Sequence, residues 1–210
     1  MKKEDSITSE EKVLAAALEE FAANGYAGAR VDSIAEKAKV NKAMIYYHFK
    51  SKEMLYERIL KDITDNIFGQ VKEAAVSGTD PVDALYSVIS KYIKMLNSFD
   101  VKIFQIILRE IASGGEHFRK IMIPNLVLPV LSIIEPLIMR GKDERRIRDL
   151  NPYFTFMQII GGIFFFNIIR LPVEGSDLEK YILKDGYIDE YAENLFKILK
   201  SGIELKGDEL

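Results

Sequence analysis

Apolar residues recur at three- and four-residue intervals along almost the whole chain, and no useful length of strand-like alternation appears. Val13, Leu14, Ala17, Leu18 and Phe21 mark one face of a first helix. Such a stripe buries one side of a helix against its neighbours. Thr8 with Glu11 three positions on forms a capping box at its start, and Asn24-Gly25 ends it. Short helices are expected over 31–38 and 41–49, then a long one from Ser51 as N-cap to about Val76. After a break at Gly78-Thr79-Asp80-Pro81, helices follow over 81–97, 101–113, 117–140, 151–170 and 188–200. Prolines 124, 129 and 136 predict a kink or split in the 117–140 helix. Leu171–Gly186 reads mostly as loop. The expectation is an all-α chain of about nine helices.

Composition removes whole classes of chemistry. The 210 residues suffice for one large domain or two small ones. With no cysteine, disulfides, cysteine-ligated zinc, iron–sulfur clusters and thiol nucleophiles are excluded. His48 and His117 are the only histidines, which leaves no multi-histidine metal site; no metal or cofactor is expected. The sequence lacks G-x-S-x-G, G-x-x-x-x-G-K-[ST], a post-strand G-x-G-x-x-G and H-E-x-x-H, so a binding protein is expected rather than an enzyme. His117, after Gly114-Gly115-Glu116, reads as a surface residue at a helix start.

The apolar run Phe154–Ile169 falls short of the roughly 20 residues of a bilayer span and contains Gln158 and Asn167. The stretch Ile121–Met139 is broken by three prolines and Glu135. Met1–Asp5 opens without the apolar run of a signal peptide. The Gly207-Asp208-Glu209-Leu210 tail has glycine where an ER-retention signal needs lysine. A cytoplasmic protein is expected.

The informative geometry lies near the start. Helix, short turn, helix is the form that lays a second helix in the DNA major groove. On a helical wheel, Ile45 and Phe49 fall together on the buried side of the third helix. The opposite side centres on Ala43 and Tyr47, flanked by Met44 and Tyr46. Small Ala43 permits close approach, and tyrosine hydroxyls reach phosphates. Lysines 37, 39, 42, 50 and 52 crowd into Lys37–Lys52 with no acidic residue among them. Ten basic and ten acidic side chains balance over residues 1–60, so the chain's net charge of −3 resides entirely beyond them. The basic patch is local, as phosphate contact requires.

Three segments carry a family resemblance. Phe21-Ala22-Ala23-Asn24-Gly25-Tyr26, Val31-Asp32-Ser33-Ile34-Ala35-Glu36-Lys37-Ala38 and Met44-Ile45-Tyr46-Tyr47-His48-Phe49-Lys50-Ser51-Lys52-Glu53-Met54-Leu55 resemble the DNA-binding domain of TetR-type (tetracycline-repressor) regulators. The resemblance implies a helix-turn-helix head over residues 1–52 and a larger helical effector-binding and dimerisation domain over 53–210. It further implies a homodimer that binds palindromic double-stranded operator DNA and is released by a small effector. On that basis Asn41, Lys42, Ala43 and Met44 would read bases. Tyr46, Tyr47, Lys50 and Lys52 would hold phosphates, joined by Arg30 and Lys39. Lys39 stands where the family has glycine, and a left-handed lysine costs about 1 kcal/mol. Ala29 and Arg30 stand where the family has hydroxyl caps, typically worth about 1 kcal/mol.

Beyond residue 60 the resemblance carries little. Aromatics and interleaved polar residues suggest an apolar effector pocket drawn from Tyr92, Phe104, Gln105, Arg109, Met122, Asn125 and Gln158; Arg109 would pair with an effector carboxylate or with Glu110 or Glu116. The all-round apolar helix at Phe154–Ile169 needs a partner on its second side, which a second subunit supplies. The expected dimer surface is Phe154, Gly161, Gly162 and Phe165 with Tyr191, Leu195 and Leu199 of the last helix. A helical lipophile-binding protein, with the helix-turn-helix only structural, is the alternative.

Overall fold

The computed structural model describes residues 8–75 and 80–205. Met1–Asp5, the Gly78-Thr79 break and the Gly207–Leu210 tail lie outside the described residues. The fold is helical: α1 Ser9–Gly28, α2 Val31–Ala38, α3 Lys42–Phe49, α4 Lys52–Ala75, α5 Pro81–Ser98 and α6 Val101–Ala112 come first. A π-helical stretch over Phe118–Val127 follows, then α7 Leu128–Asp143, α8 Pro152–Val173, α9 Glu179–Ile182 and α10 Tyr187–Ile203. One isolated antiparallel bridge joins Ile147 and Glu204.

Local chemistry sets the ends. Thr8 accepts from the Glu11 amide while the Glu11 carboxylate returns to the Thr8 amide, completing the capping box. Gly25, at φ +67°, breaks the helical conformation inside α1. The Ser51 hydroxyl accepts from the Met54 amide and opens α4, and Asp80 caps α5 ahead of Pro81. The expected disruption of the 117–140 helix takes the form of the π-helical stretch. Pro124 lies inside it without an N–H to donate, and Pro129 sits in the first turn of α7. Two details depart from the sequence reading. α8 runs on to Val173, and α9 interrupts the expected loop; four residues are too few for a periodic pattern.

The chain forms two compact units that cut it differently from a boundary at 52/53. The first contains the chain up to Asp65 and Asp100–Asn125. Its core of Val13, Ala17, Phe21, Ile34, Ile45, Leu55, Tyr56 and Phe104 is buried. Here α6 packs on α1: the Arg109 Nε donates to the Ala22 carbonyl at 2.8 Å, and Lys102 pairs with Glu19 at 3.4 Å. Glu110 accepts the amides of His117 and Phe118 and the Tyr56 hydroxyl. His117 is therefore not a surface residue. It is 7% exposed, between the rings of Tyr26 and Tyr56, with Nδ1 3.5 Å from Glu110.

The second unit contains Asn66–Phe99 and the chain from Leu126 on. Within it α5, α7, α8 and α10 pack around Leu85, Ile89, Ile93, Ile134, Ile138, Ile159 and Ile163. By length and composition alone, Phe118–Asp143 and Pro152–Val173 could each cross a membrane. Yet one side of α8, with Phe156, Ile159, Ile163 and the polar Thr155 and Asn167, is buried in the unit.

Candidate nucleic-acid interface

The head is built from inside outward. Ile45 and Phe49 of α3 are buried; this fixes the rotation of that short helix and turns Ala43, Met44, Tyr46 and Tyr47 to solvent. Tyr47 is 72% exposed. The Asn41 side chain caps α3 by accepting from the Ala43 amide at 2.9 Å. His48 ties α3 back to α1 through Ser9 at 3.2 Å.

The turn before α3 is held in an uncommon backbone. Lys39 closes α2 at φ 55°, ψ 43°, left-handed, so the lysine adopts the conformation for which glycine is the usual choice. Its amide donates to Glu36, and that of Val40 to Ala35, so the turn's own hydrogen bonds offset the strain. Lys50 closes α3 at φ 64°, ψ −43°, also at positive φ but outside the left-handed helical region. It donates to the Tyr47 carbonyl at 3.0 Å, with its ammonium 5.7 Å from the Tyr47 ring centre.

At α2 no side chain caps the N-terminus, as Arg30 lacks a hydroxyl. Glu20 of α1 takes up part of that role. Its carboxylate accepts from the Arg30 amide at 3.3 Å, the Asn24 amide at 3.0 Å and the Lys37 ammonium at 2.7 Å. Glu20 is 3% exposed. Burial raises its pKa, but Lys37 and the two amides outweigh that and hold it below the usual carboxylate value. The sequence reading missed Glu20. The available signal was an acid on the face shared by Val13 and Ala17.

Of the expected DNA contacts, Arg30, Lys39, Asn41, Lys42, Ala43, Met44, Tyr46, Tyr47 and Lys50 are exposed residues of one helix-turn-helix. Lys42 pairs with Asp32 at 2.8 Å, both well exposed, and the bond raises the lysine pKa. Lys52 departs from expectation. Its ammonium donates to the Tyr26 and Ala29 carbonyls at 2.9 and 3.2 Å and lies 4.6 Å from the Tyr26 ring centre. It closes the end of α1, where orphan carbonyls need donors, and is committed inward rather than to a phosphate.

The expected effector residues are divided between the two units. Phe104 and Met122 are core of the first unit and Tyr92 of the second. Arg109 is bound to Ala22, Asn125 caps the Ile121 carbonyl, and Gln105 and Gln158 face solvent. The dimer residues divide. Phe154, Gly161, Gly162 and Phe165 are exposed with Met157 along one side of α8. On α10, Leu199 is buried, Leu195 is half-buried and Tyr191 stacks on Phe166, so that helix spends its apolar side within its own unit.

The model of the tetR family of bacterial regulatory proteins matches residues 13–59, which span α1, α2, α3 and the start of α4. Over these residues the chain is similar to the TetR family. It is 31% identical over 83 residues to IcaR, the negative transcriptional regulator of the biofilm operon icaADBC in Staphylococcus aureus strain Newman, covering 40% of this chain and 45% of that protein. It is 36% identical over 81 residues to the transcriptional activator FasR of Mycolicibacterium smegmatis, covering 39% and 37%. The chain thus spans less than half the length of these curated relatives. The fold of Bacillus subtilis FadR, solved in complex with stearoyl-CoA, superposes with a TM-score of 0.70 at 21% identity, covering 91% of this chain and 98% of that one. This likeness of fold extends well beyond the head.

Proposed function

We propose that this protein is a dimeric, ligand-responsive transcriptional repressor that binds palindromic operator DNA through α3 and is released by a small apolar effector. One observation carries the reading: a family-typical head turns Ala43, Met44, Tyr46 and Tyr47 outward on a helix anchored by Ile45 and Phe49. Ala43 and Met44, with Asn41 and Lys42, face bases; Tyr46, Tyr47, Lys50, Lys39 and Arg30 hold phosphates. Two copies related by a two-fold axis would read half-sites about 34 Å apart.

The exposed stripe Phe154, Met157, Gly161 and Phe165 supports α8 as the dimer helix. No side-chain or backbone atom outside the helix lies within 4 Å of a Cβ built at Gly161 or Gly162, so both leave room for a partner's close approach. The named functions of IcaR and FasR, and the ligand of FadR, favour regulation over catalysis and effector control over constitutive binding. The protein would act in the cytoplasm. The alternative, a lipophile carrier with an idle helix-turn-helix, leaves the outward Tyr47 without a purpose.

The test is binding to a selected operator across a salt series. Lys50→Ala should weaken binding and reduce the salt slope by about 0.9, one phosphate's worth of released counterion. Tyr47→Ala should weaken it with the slope intact. Unchanged affinity in both variants refutes the assignment.

A further inference from the structure

An acid stands among the residues assigned to DNA. The Asp32 carboxylate, in the first turn of α2, lies 2.8 Å from the ammonium of Lys42, the first residue of α3. Both side chains are open to solvent, at 62% and 45% exposure, so the pair adds little to stability. Its place matters more. The bond to Asp32 is the largest influence on Lys42 and raises its pKa; Tyr46 and Arg30 act on the same ammonium more weakly. Arg30 also acts on Asp32. The carboxylate therefore sits amid Arg30, Lys42 and Tyr46, on a face that has to approach phosphates, where a negative charge repels.

Other lysines of the head are held differently. Lys50 donates to the Tyr47 carbonyl, a neutral acceptor, so its charge stays available to a phosphate. Lys52 donates to the Tyr26 and Ala29 carbonyls, and Lys37 pairs with the buried Glu20 of α1. Lys42 points outward and is bonded to an exposed carboxylate. To neutralise a phosphate it must abandon Asp32 and leave that carboxylate unpaired against a polyanion. A base edge makes no such demand. An ammonium has three donors. One serves Asp32, and the others suit the O6 and N7 acceptors of a guanine in the major groove.

We propose that Asp32 determines specificity in this head: it withholds Lys42 from phosphates and presents it to a base edge with paired acceptors, as guanine offers. Asp32 is a positioning residue that acts through Lys42. The inference rests on the reading of the head as operator-binding and deepens the base-facing role given there to Lys42. An acid in the first turn of α2 also complements the helix dipole. That role needs no lysine partner and leaves the salt response of DNA binding unmoved.

Titration of the full chain with its selected operator, and with a scrambled duplex of the same length, across a salt series tests this. Asp32→Asn should tighten binding to scrambled DNA about three- to tenfold and steepen its salt slope by about 0.9, one more phosphate neutralised. The preference for operator over scrambled DNA should fall by a similar factor. Lys42→Ala should lower that preference about five- to hundredfold and leave the scrambled slope unchanged. The double variant should show the wild-type scrambled slope, and Asp32→Glu should retain it. Both positions are exposed, so the variants should fold, which circular dichroism checks. An unchanged slope in Asp32→Asn, a steeper slope that persists in the double variant, or a slope lowered by Lys42→Ala overturns the proposal. If wild type selects an operator and one of these results follows, this inference alone is lost. If wild type selects no sequence, the regulator reading is lost and this inference with it.

Discussion

Glu20→Ala isolates the device that holds the helix-turn-helix together. The carboxylate is buried and accepts from Asn24, the Arg30 amide and Lys37. Each neutral donor is worth about 1 kcal/mol. Lys37 is 41% exposed and regains water when its partner is removed, so the ion pair is discounted to about 1 kcal/mol or less. The loss should be about 2–3 kcal/mol. Glu20→Gln keeps an acceptor for the Arg30 amide and should lose about 1 kcal/mol. Because the folded carboxylate has a lowered pKa, its contribution is complete above the ordinary value near 4.3. It fades as pH falls through the lower folded pKa. Urea denaturation followed by circular dichroism, at neutral pH and near pH 3, measures both effects. The gap between wild type and Glu20→Gln should narrow in acid. A Glu20→Ala variant within about 0.5 kcal/mol of wild type, or a gap that does not change with pH, refutes the reasoning.

Two further outcomes follow from the geometry. Lys52→Ala should destabilise the fold by about 1–2 kcal/mol, from its bonds to the Tyr26 and Ala29 carbonyls at the end of α1. The salt slope of operator binding should stay at its wild-type value; a slope lowered by about 0.9 would return Lys52 to the phosphate contacts. Phe165→Asp places a charge in the middle of the exposed α8 stripe. Light scattering at micromolar concentration should show monomer for the variant and dimer for wild type, with helicity retained; a dimeric variant moves the interface elsewhere.

The parts of the fold that were legible in the sequence are governed by local rules. The Thr8–Glu11 capping box, the Gly25 break and the Asn41 cap of α3 each involve residues within a few positions of one another. The outward face of α3 follows from the burial of Ile45 and Phe49 alone. Roles set by distant partners were not legible. Lys52 meets carbonyls more than twenty positions back, Glu20 meets Lys37, and His117 is buried by Tyr26 and Tyr56. The expected pocket residues are a different case. An aromatic such as Phe104 has the same composition and spacing whether it lines a cavity or fills a core, and here it fills a core.

The central claim is that this head reads DNA as a two-fold pair, and in vitro selection from a random double-stranded pool tests it most directly. The account predicts enrichment of a palindrome with half-site centres about 34 Å apart, with binding lost when Tyr47 and Lys50 are both replaced by alanine. A pool that yields no enriched sequence, or binding that the double variant retains in full, would contradict it.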